Sequence, residues 1–332
     1  MTYGPPTLGP ARARSGNVLP RQGRPLLRLA AVGVVLAAFA GCATTTNPIP
    51  PGQGTEAPPG QDLKLAVYNV ALGAVAGGVG ALVNGRDEAS LRRLGRGAGW
   101  GAVGGGVGYL GKWQAGEVAE RGALTYALPA RLVHDAGVSI TENAARGRPP
   151  LSRFSTHLGV VRLDVQTRSG AVRARVLPTA TVFFTLLALD GDLDLDVGRS
   201  LAFGSPVFLA ERGDNVAGLA DLGGGLAVPG SVILARDDDA AEFYDTAAHE
   251  LVHVMQFAEF ARAEASWRAG LDPSGRLDRG LGRWVYLDSP ALQWAVYYGY
   301  EGGDIDAPCK YDNWIEREAE AFGSRRPVGV CP

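Results

Sequence analysis

Cysteine and histidine, which bind metals and act in catalysis, are scarce in this chain of 332 residues. It has three cysteines and four histidines, and its 32 basic and 34 acidic side chains give a formal net charge of −2. Such a balance offers no positive surface for a nucleic acid, so we expect no nucleic-acid partner. The sequence also lacks a phosphate-binding loop, a dinucleotide fingerprint and a serine triad. These absences direct attention to the few histidines and cysteines.

Acidic side chains are missing from the first 41 residues, which are rich in arginine and end in a short apolar run. A basic start, a short apolar core and small residues before a cleavage site are typical of a secretory signal. Residues 39–42, Phe-Ala-Gly-Cys, resemble a bacterial lipoprotein box, although Phe39 replaces the usual leucine. The resemblance implies a signal peptide over 1–41 and a lipid on Cys42. An exported protein would then be anchored to the cell membrane or outer membrane, on its periplasmic or extracellular face. An ordinary signal peptide or an uncleaved anchor is the alternative.

Only two cysteines remain once Cys42 is assigned to the lipid. Cys309 and Cys331 form an even pair in a compartment that permits disulfides. A bridge between them would close a loop and stabilise the fold by roughly 3 kcal/mol. Two free thiols are the alternative.

Glycine, by contrast, is abundant and unevenly distributed. The runs 66–84 and 97–111 carry no charge, and their glycines recur at four-residue spacing. This spacing aligns small residues on one helical face and permits close helix contact, as in a glycine zipper. We predict a helical hairpin over 63–112, preceded by a tether rich in proline, glycine and threonine at 42–62. Glycine costs helices up to about 1 kcal/mol per residue in water, so either lipid or packing against the rest of the protein must compensate.

The pattern changes after a helical connector predicted over 113–150, which ends at a proline pair. Strand composition then appears, and the predicted strands are 159–166, 172–177, 181–189, 207–210 and 231–235. Helices return after Asp237, where acids favour a helix start. The predicted fold is α+β, with an N-terminal glycine-rich helical hairpin, a mostly antiparallel sheet and then helices. Residues 151–332 are predicted to form one α+β domain.

Residues 246–257, Thr-Ala-Ala-His-Glu-Leu-Val-His-Val-Met-Gln-Phe, hold two of the four histidines. His249 and His253 are four apart, so on a helix both imidazoles lie on one face, with Glu250 beside them. The segment resembles the zincin metallopeptidase signature, His-Glu-x-x-His. The resemblance implies that both histidines bind Zn²⁺ and that Glu250 is the general base for a zinc-bound water.

A catalytic zinc ion needs a third protein ligand. The metzincin pattern would place a histidine at position 259, but the chain has Glu259 there and no later histidine. The segment 313–323, Asn-Trp-Ile-Glu-Arg-Glu-Ala-Glu-Ala-Phe-Gly, looks like the third-ligand helix of gluzincins. That resemblance implies Glu316 as the ligand and Glu320 as a carboxylate that supports a ligating histidine, although the family usually has aspartate or asparagine there. Two other acids are alternatives for the third ligand, Asp304 and Glu301.

The zincin resemblance carries two further expectations. The strand 231–235, directly before the histidine helix, matches the sheet-edge strand on which zincins hold an extended peptide. A group must also stabilise the oxyanion during hydrolysis. The candidates are tyrosines, namely Tyr297, Tyr298, Tyr300 and Tyr311.

Three functions are compatible with these patterns. The first is a lipid-anchored zinc metallopeptidase, whose partners are a peptide or protein substrate and the membrane. The second is a non-enzymatic envelope protein, in which the hairpin acts at the membrane and the zinc site is structural or degenerate. The third is a zinc hydrolase that acts on amide or ester bonds of the cell wall. We expect the first.

Overall fold

A computed structural model describes residues 61–85, 90–216, 220–221, 224–236, 239–271, 280–296 and 314–323. The predicted signal peptide and nearly all of the predicted tether lie outside these residues, as do all three cysteines. The alternative ligands Asp304 and Glu301 and the four candidate tyrosines also lie outside them. In chain order the described helices are α1 Gln61–Asn84, α2 Ser90–Arg121, α3 Ala127–Ala145, α4 Pro178–Leu189, α5 Val197–Phe203, α6 Ala240–Leu271, α7 Ala291–Trp294 and α8 Trp314–Gly323.

The described strands form three sheets. Their bounds are β1 Arg153–Leu158, β2 Val161–Gln166, β3 Val172–Val176, β4 Asp194–Asp196, β5 Val207–Ala210, β6 Asn215–Val216, β7 Ala220–Asp221, β8 Gly225–Val228 and β9 Ser231–Ala235. One sheet has the antiparallel order β1-β2-β3, a second has the order β4-β5-β9-β8, and β6 pairs with β7. Only β5 and β9 run parallel among the described pairs. The predicted α+β class is confirmed.

The two long N-terminal helices form a hairpin whose backbones touch. A Cβ atom added at Gly101 of α2 would overlap the carbonyl oxygen of Gly73 in α1, and one at Gly97 would meet Gly77 at a similar contact. Both helices also pack against α3 and α6, so contact with the rest of the protein compensates for the glycines. Within the described residues, Leu63–Asn84 is long and apolar enough to cross a membrane, with mean hydropathy 1.7, and 56% of its apolar window is buried inside the protein.

Gly101→Ala is expected to destabilise the protein, because the added methyl group must push α1 and α2 apart. Overpacking of this kind costs about 1–3 kcal/mol. Gly99→Ala is the matched control, since nothing lies within 4 Å of a Cβ atom at that position of the same helix. There the higher helix propensity of alanine is expected to stabilise by up to about 1 kcal/mol. Urea denaturation of both variants measures the difference, and equal effects would contradict the close packing.

One local prediction of secondary structure is wrong. Residues 181–189 were expected to form a strand, but they belong to α4, which begins with Pro178 at its first turn. The Asp288 carboxylate accepts hydrogen bonds from the backbone N–H groups of Thr179 and Ala180, so a distant loop caps this helix. The helical connector predicted over 113–150 contains the end of α2 and the whole of α3, and Gly122, in a left-handed conformation with φ 58°, lies between these two helices.

Candidate metal centre

His249 and His253 both lie on helix α6. The Asp239 carboxylate accepts the backbone N–H of Ala241 at 2.8 Å and so caps the start of this helix. Leu251, Val252 and Met255 are fully buried and fix one side of the helix in the main hydrophobic core. His249 and His253 project towards α8, with the Nε2 atoms of their rings 3.0 Å apart.

Helix α8 lies directly against α6 at the level of the first histidine. Gly323 makes this contact possible, because a Cβ atom there would overlap the backbone of His249. Ile315, Ala319 and Phe322 bury the apolar side of α8. Glu316 and Glu320 lie on another side of α8, which faces the two imidazoles.

The predicted third ligand meets the histidine pair. Glu316 Oε2 lies 3.4 Å from Nε2 of His249 and 3.4 Å from Nε2 of His253. One ligand atom from each of these three residues lies within 4.8 Å of the other two. In a tetrahedral zinc site with ligands at about 2.0–2.1 Å, neighbouring ligand atoms are about 3.3–3.4 Å apart. The three residues therefore form a possible metal-binding cluster with near-tetrahedral spacing.

Each imidazole is also held through its other nitrogen. Glu320 Oε2 lies 3.4 Å from Nδ1 of His249, and Gln256 Oε1 lies 2.8 Å from Nδ1 of His253. Such partners orient metal-binding histidines and set which nitrogen carries the proton. Glu320 thus lies where the resemblance to gluzincins placed it, while Gln256 was not anticipated.

The electrostatics of the cluster favour a cation. Burial alone would lower the pKa of His249, but hydrogen bonds to Glu316 and Glu320 and the charge of Glu250 raise it to about 10. Burial would raise the pKa of Glu316, but the two histidines hold it well below its usual range. At most one proton fits between two ring nitrogens 3.0 Å apart. A metal ion that binds here displaces protons, so we expect its affinity to rise with pH.

Glu250, the predicted general base, is a residue of α6, and its side chain packs against the edge strand of a sheet. Its side chain is buried, and it forms no hydrogen bond with any residue that the structure describes. The sheet edge there is β8, since a Cβ atom added at Gly225 would lie 2.7 Å from Glu250 Cγ. The expectation that 231–235 forms the edge strand is wrong, because β9 pairs with both β5 and β8. The chain turns back after β8, at Pro229 and Gly230, and places β9 inside the sheet.

Sequence reasoning missed a group of buried polar residues behind the cluster. They are Asn69, Lys112, Gln256 and Glu318. Gln256 could have been found, because it follows His253 by three residues and shares its helical face. Lys112 offered a weaker signal, as a single charge directly after an uncharged glycine-rich run. The contact at Gly323 depends on how two distant helices pack and left no signal in the sequence.

Among the described residues, three side chains make up the possible metal-binding cluster. Catalytic zinc sites use three protein ligands and keep one position for water or substrate, whereas structural zinc sites use four protein ligands. Side chains of the three ligands keep 11–15% of their surface exposed, so solvent reaches the centre. No protein-family model, curated protein or solved structure matches the chain, and its function is inferred from this geometry.

Proposed function

We propose that His249, His253 and Glu316 hold Zn²⁺ and that the protein is a gluzincin-like metallopeptidase. The observation that carries the proposal is the position of Glu316 Oε2, 3.4 Å from both Nε2 atoms. These residues come from helices separated by more than 40 residues, α6 and α8. Two imidazoles and one carboxylate match the ligand set of zinc peptidases.

Bound zinc would polarise the scissile carbonyl and lower the pKa of a water molecule towards 7. Glu250 would act as the general base that takes a proton from the attacking water as its oxygen adds to the carbonyl carbon of the peptide. Glu250 then gives the proton to the leaving nitrogen as the carbon–nitrogen bond breaks. The products are a carboxylic acid and an amine, which become a carboxylate and an ammonium group at neutral pH, and Glu250 would return to its starting state. Its lack of a hydrogen bond to any described residue supports this role, because its oxygens remain free to accept the proton.

The substrate is proposed to lie along β8. This strand pairs with β9 on one side only, within the described part of the chain, so its other edge carries unpaired backbone groups. Extended peptides bind such an edge through main-chain hydrogen bonds. Because Gly225 lies against Glu250, a peptide on this edge passes close to the proposed base.

We further propose that the protein works at a membrane surface, exported and anchored by a lipid on Cys42. The described chain begins at the helical hairpin, whose outer face is apolar. Its exposed side chains include Val67, Trp100, Val103, Leu110 and Trp113. Tryptophan is enriched at membrane interfaces, which supports contact between this face and lipid.

The proposal is tested by metal analysis and cleavage assays on the full chain. We expect one zinc per chain, casein cleavage that stops when a chelator removes the metal, and recovery on adding Zn²⁺. Amide and ester substrates typical of a cell wall, assayed in parallel, separate a peptidase from the related hydrolase. Zinc well below one per chain after reconstitution would contradict the metal site. Full zinc without hydrolysis of any substrate would favour a structural site.

A further inference from the structure

A lysine in the glycine-rich hairpin lies at the centre of the protein. Lys112 of α2 is completely buried, and its Nζ atom is 2.9 Å from Asn69 Oδ1, Glu259 Oε2 and Glu318 Oε2. These three acceptors use all three ammonium hydrogens. Burial would lower the pKa of Lys112, but the two glutamates raise it above its ordinary value, so the ammonium group stays charged. Lys112 thus joins α1, α6 and α8.

Glu318 links this lysine to the back of the metal centre. Its carboxylate accepts Asn69 Nδ2 at 2.6 Å, Lys112 Nζ at 2.9 Å and Gln256 Nε2 at 2.8 Å. Glu318 lies on α8, two residues after Glu316 and on the other side of that helix. The same helix therefore offers one carboxylate to the metal site and another to the hairpin.

The orientation of the Gln256 amide follows from its two acceptors. Nε2 donates to the carbonyl oxygen of Ile315 at 3.0 Å and to Glu318 Oε2 at 2.8 Å. A flipped amide would place an oxygen against both acceptors, which is unfavourable. Oε1 must therefore face Nδ1 of His253, at 2.8 Å, and accept its proton. With the proton on Nδ1, the Nε2 lone pair is free to point at the cluster.

We propose that Lys112, Glu318 and Gln256 form a relay that fixes the Nδ1–H tautomer of His253. The N-terminal hairpin is then part of the metal centre, and Lys112 is a positioning residue within it. A buried ion pair is by itself a weak source of stability and is replaceable by apolar residues. Orientation of a metal ligand gives these buried charges a specific role. Since Lys112 and Asn69 precede residue 151, the segment 151–332 alone is expected to lack an ordered centre. The inference rests on metal binding at the proposed site.

The test uses the full chain labelled with ¹⁵N at histidine, whose four histidines give a simple spectrum. In the metal-free wild type, we expect a His253 Nδ1–H proton protected from solvent exchange. Gln256→Leu is expected to lose this signal and to bind Zn²⁺ about 10–100-fold more weakly in competition with a chelating dye. Lys112→Met is expected to change both readouts in the same direction. If Lys112→Met does not fold, Gln256→Leu alone decides.

Glu259→Gln is the matched control. It removes a charge that pairs with Lys112 but leaves the contacts from Glu318 through Gln256 to His253 intact. We expect it to lower the unfolding temperature while the Nδ1–H signal and the zinc affinity stay as in the wild type. The relay is overturned if wild-type His253 carries its proton on Nε2, or if Gln256→Leu binds zinc like the wild type. Equal losses in Glu259→Gln and Lys112→Met would also overturn it. A wild type that binds no zinc would contradict the proposed function, whereas the Nδ1–H signal tests the relay without metal.

Discussion

Glu250→Gln is expected to abolish peptide cleavage while zinc remains bound at the wild-type ratio. The amide has nearly the same shape as the carboxylate but cannot accept a proton from water. General acid–base catalysis is worth about 10²–10⁴-fold, so we expect kcat to fall within or beyond that range. The measurement pairs the cleavage rate of a defined peptide with metal analysis of the same sample.

A matched control for this variant lies at the start of the same helix. Glu242 forms an exposed ion pair with Arg212, which contributes little to stability. Glu242→Gln is therefore expected to cleave peptide at the wild-type rate. If Glu250→Gln kept its activity, another group would have to act as the base. If Glu250→Gln lost zinc as well, its inactivity would say nothing about proton transfer.

Glu316→Ala is expected to lose zinc, because two imidazoles remain where three ligands are needed. Removal of a residue that only supports a ligand lowers metal affinity about 10–100-fold, and removal of a ligand should exceed this. Glu320→Gln provides the internal comparison, since Glu320 contacts Nδ1 of His249, whereas Nε2 of the same ring faces Glu316 and His253. The expected order of zinc affinity is wild type, then Glu320→Gln, then Glu316→Ala.

Gly323→Ala should act in the same direction without touching a ligand. The added methyl group would overlap the backbone of His249, so α8 must shift away from α6. Glu316 lies on α8 and would shift with the helix. Competition titration with a chelating dye measures all of these variants. Wild-type affinity in Glu316→Ala would show that the third ligand lies elsewhere.

The members of the candidate cluster could be predicted from the sequence, because they belong to two pairs of residues that are each four apart on one helix. His249 and His253 face one way on any helix, and so do Glu316 and Glu320. That these two pairs meet, with Glu316 3.4 Å from both Nε2 atoms, depends on tertiary packing. A resemblance to gluzincins suggested the meeting, and the close approach at Gly323 explains it physically.

Other features could not be predicted, since distant residues decide them. Residues 181–189 have strand composition, yet Pro178 and the remote Asp288 carboxylate make them a helix. The strand 231–235 was predicted to form a sheet edge, but it pairs with β5 on one side and with β8 on the other. The sequence left open whether the hairpin that contains Lys112 packs against lipid or against protein. Only the tertiary fold brings Lys112 to Glu318.

X-ray absorption at the zinc edge, on the full chain loaded with one equivalent of Zn²⁺, asks directly which atoms surround the metal. Two imidazoles and two oxygens are predicted, all about 2.0–2.1 Å from the zinc. A zinc–sulfur distance of about 2.3 Å would instead place the metal on cysteine. That result, or a spectrum with fewer than two imidazoles, would contradict a centre built from His249, His253 and Glu316.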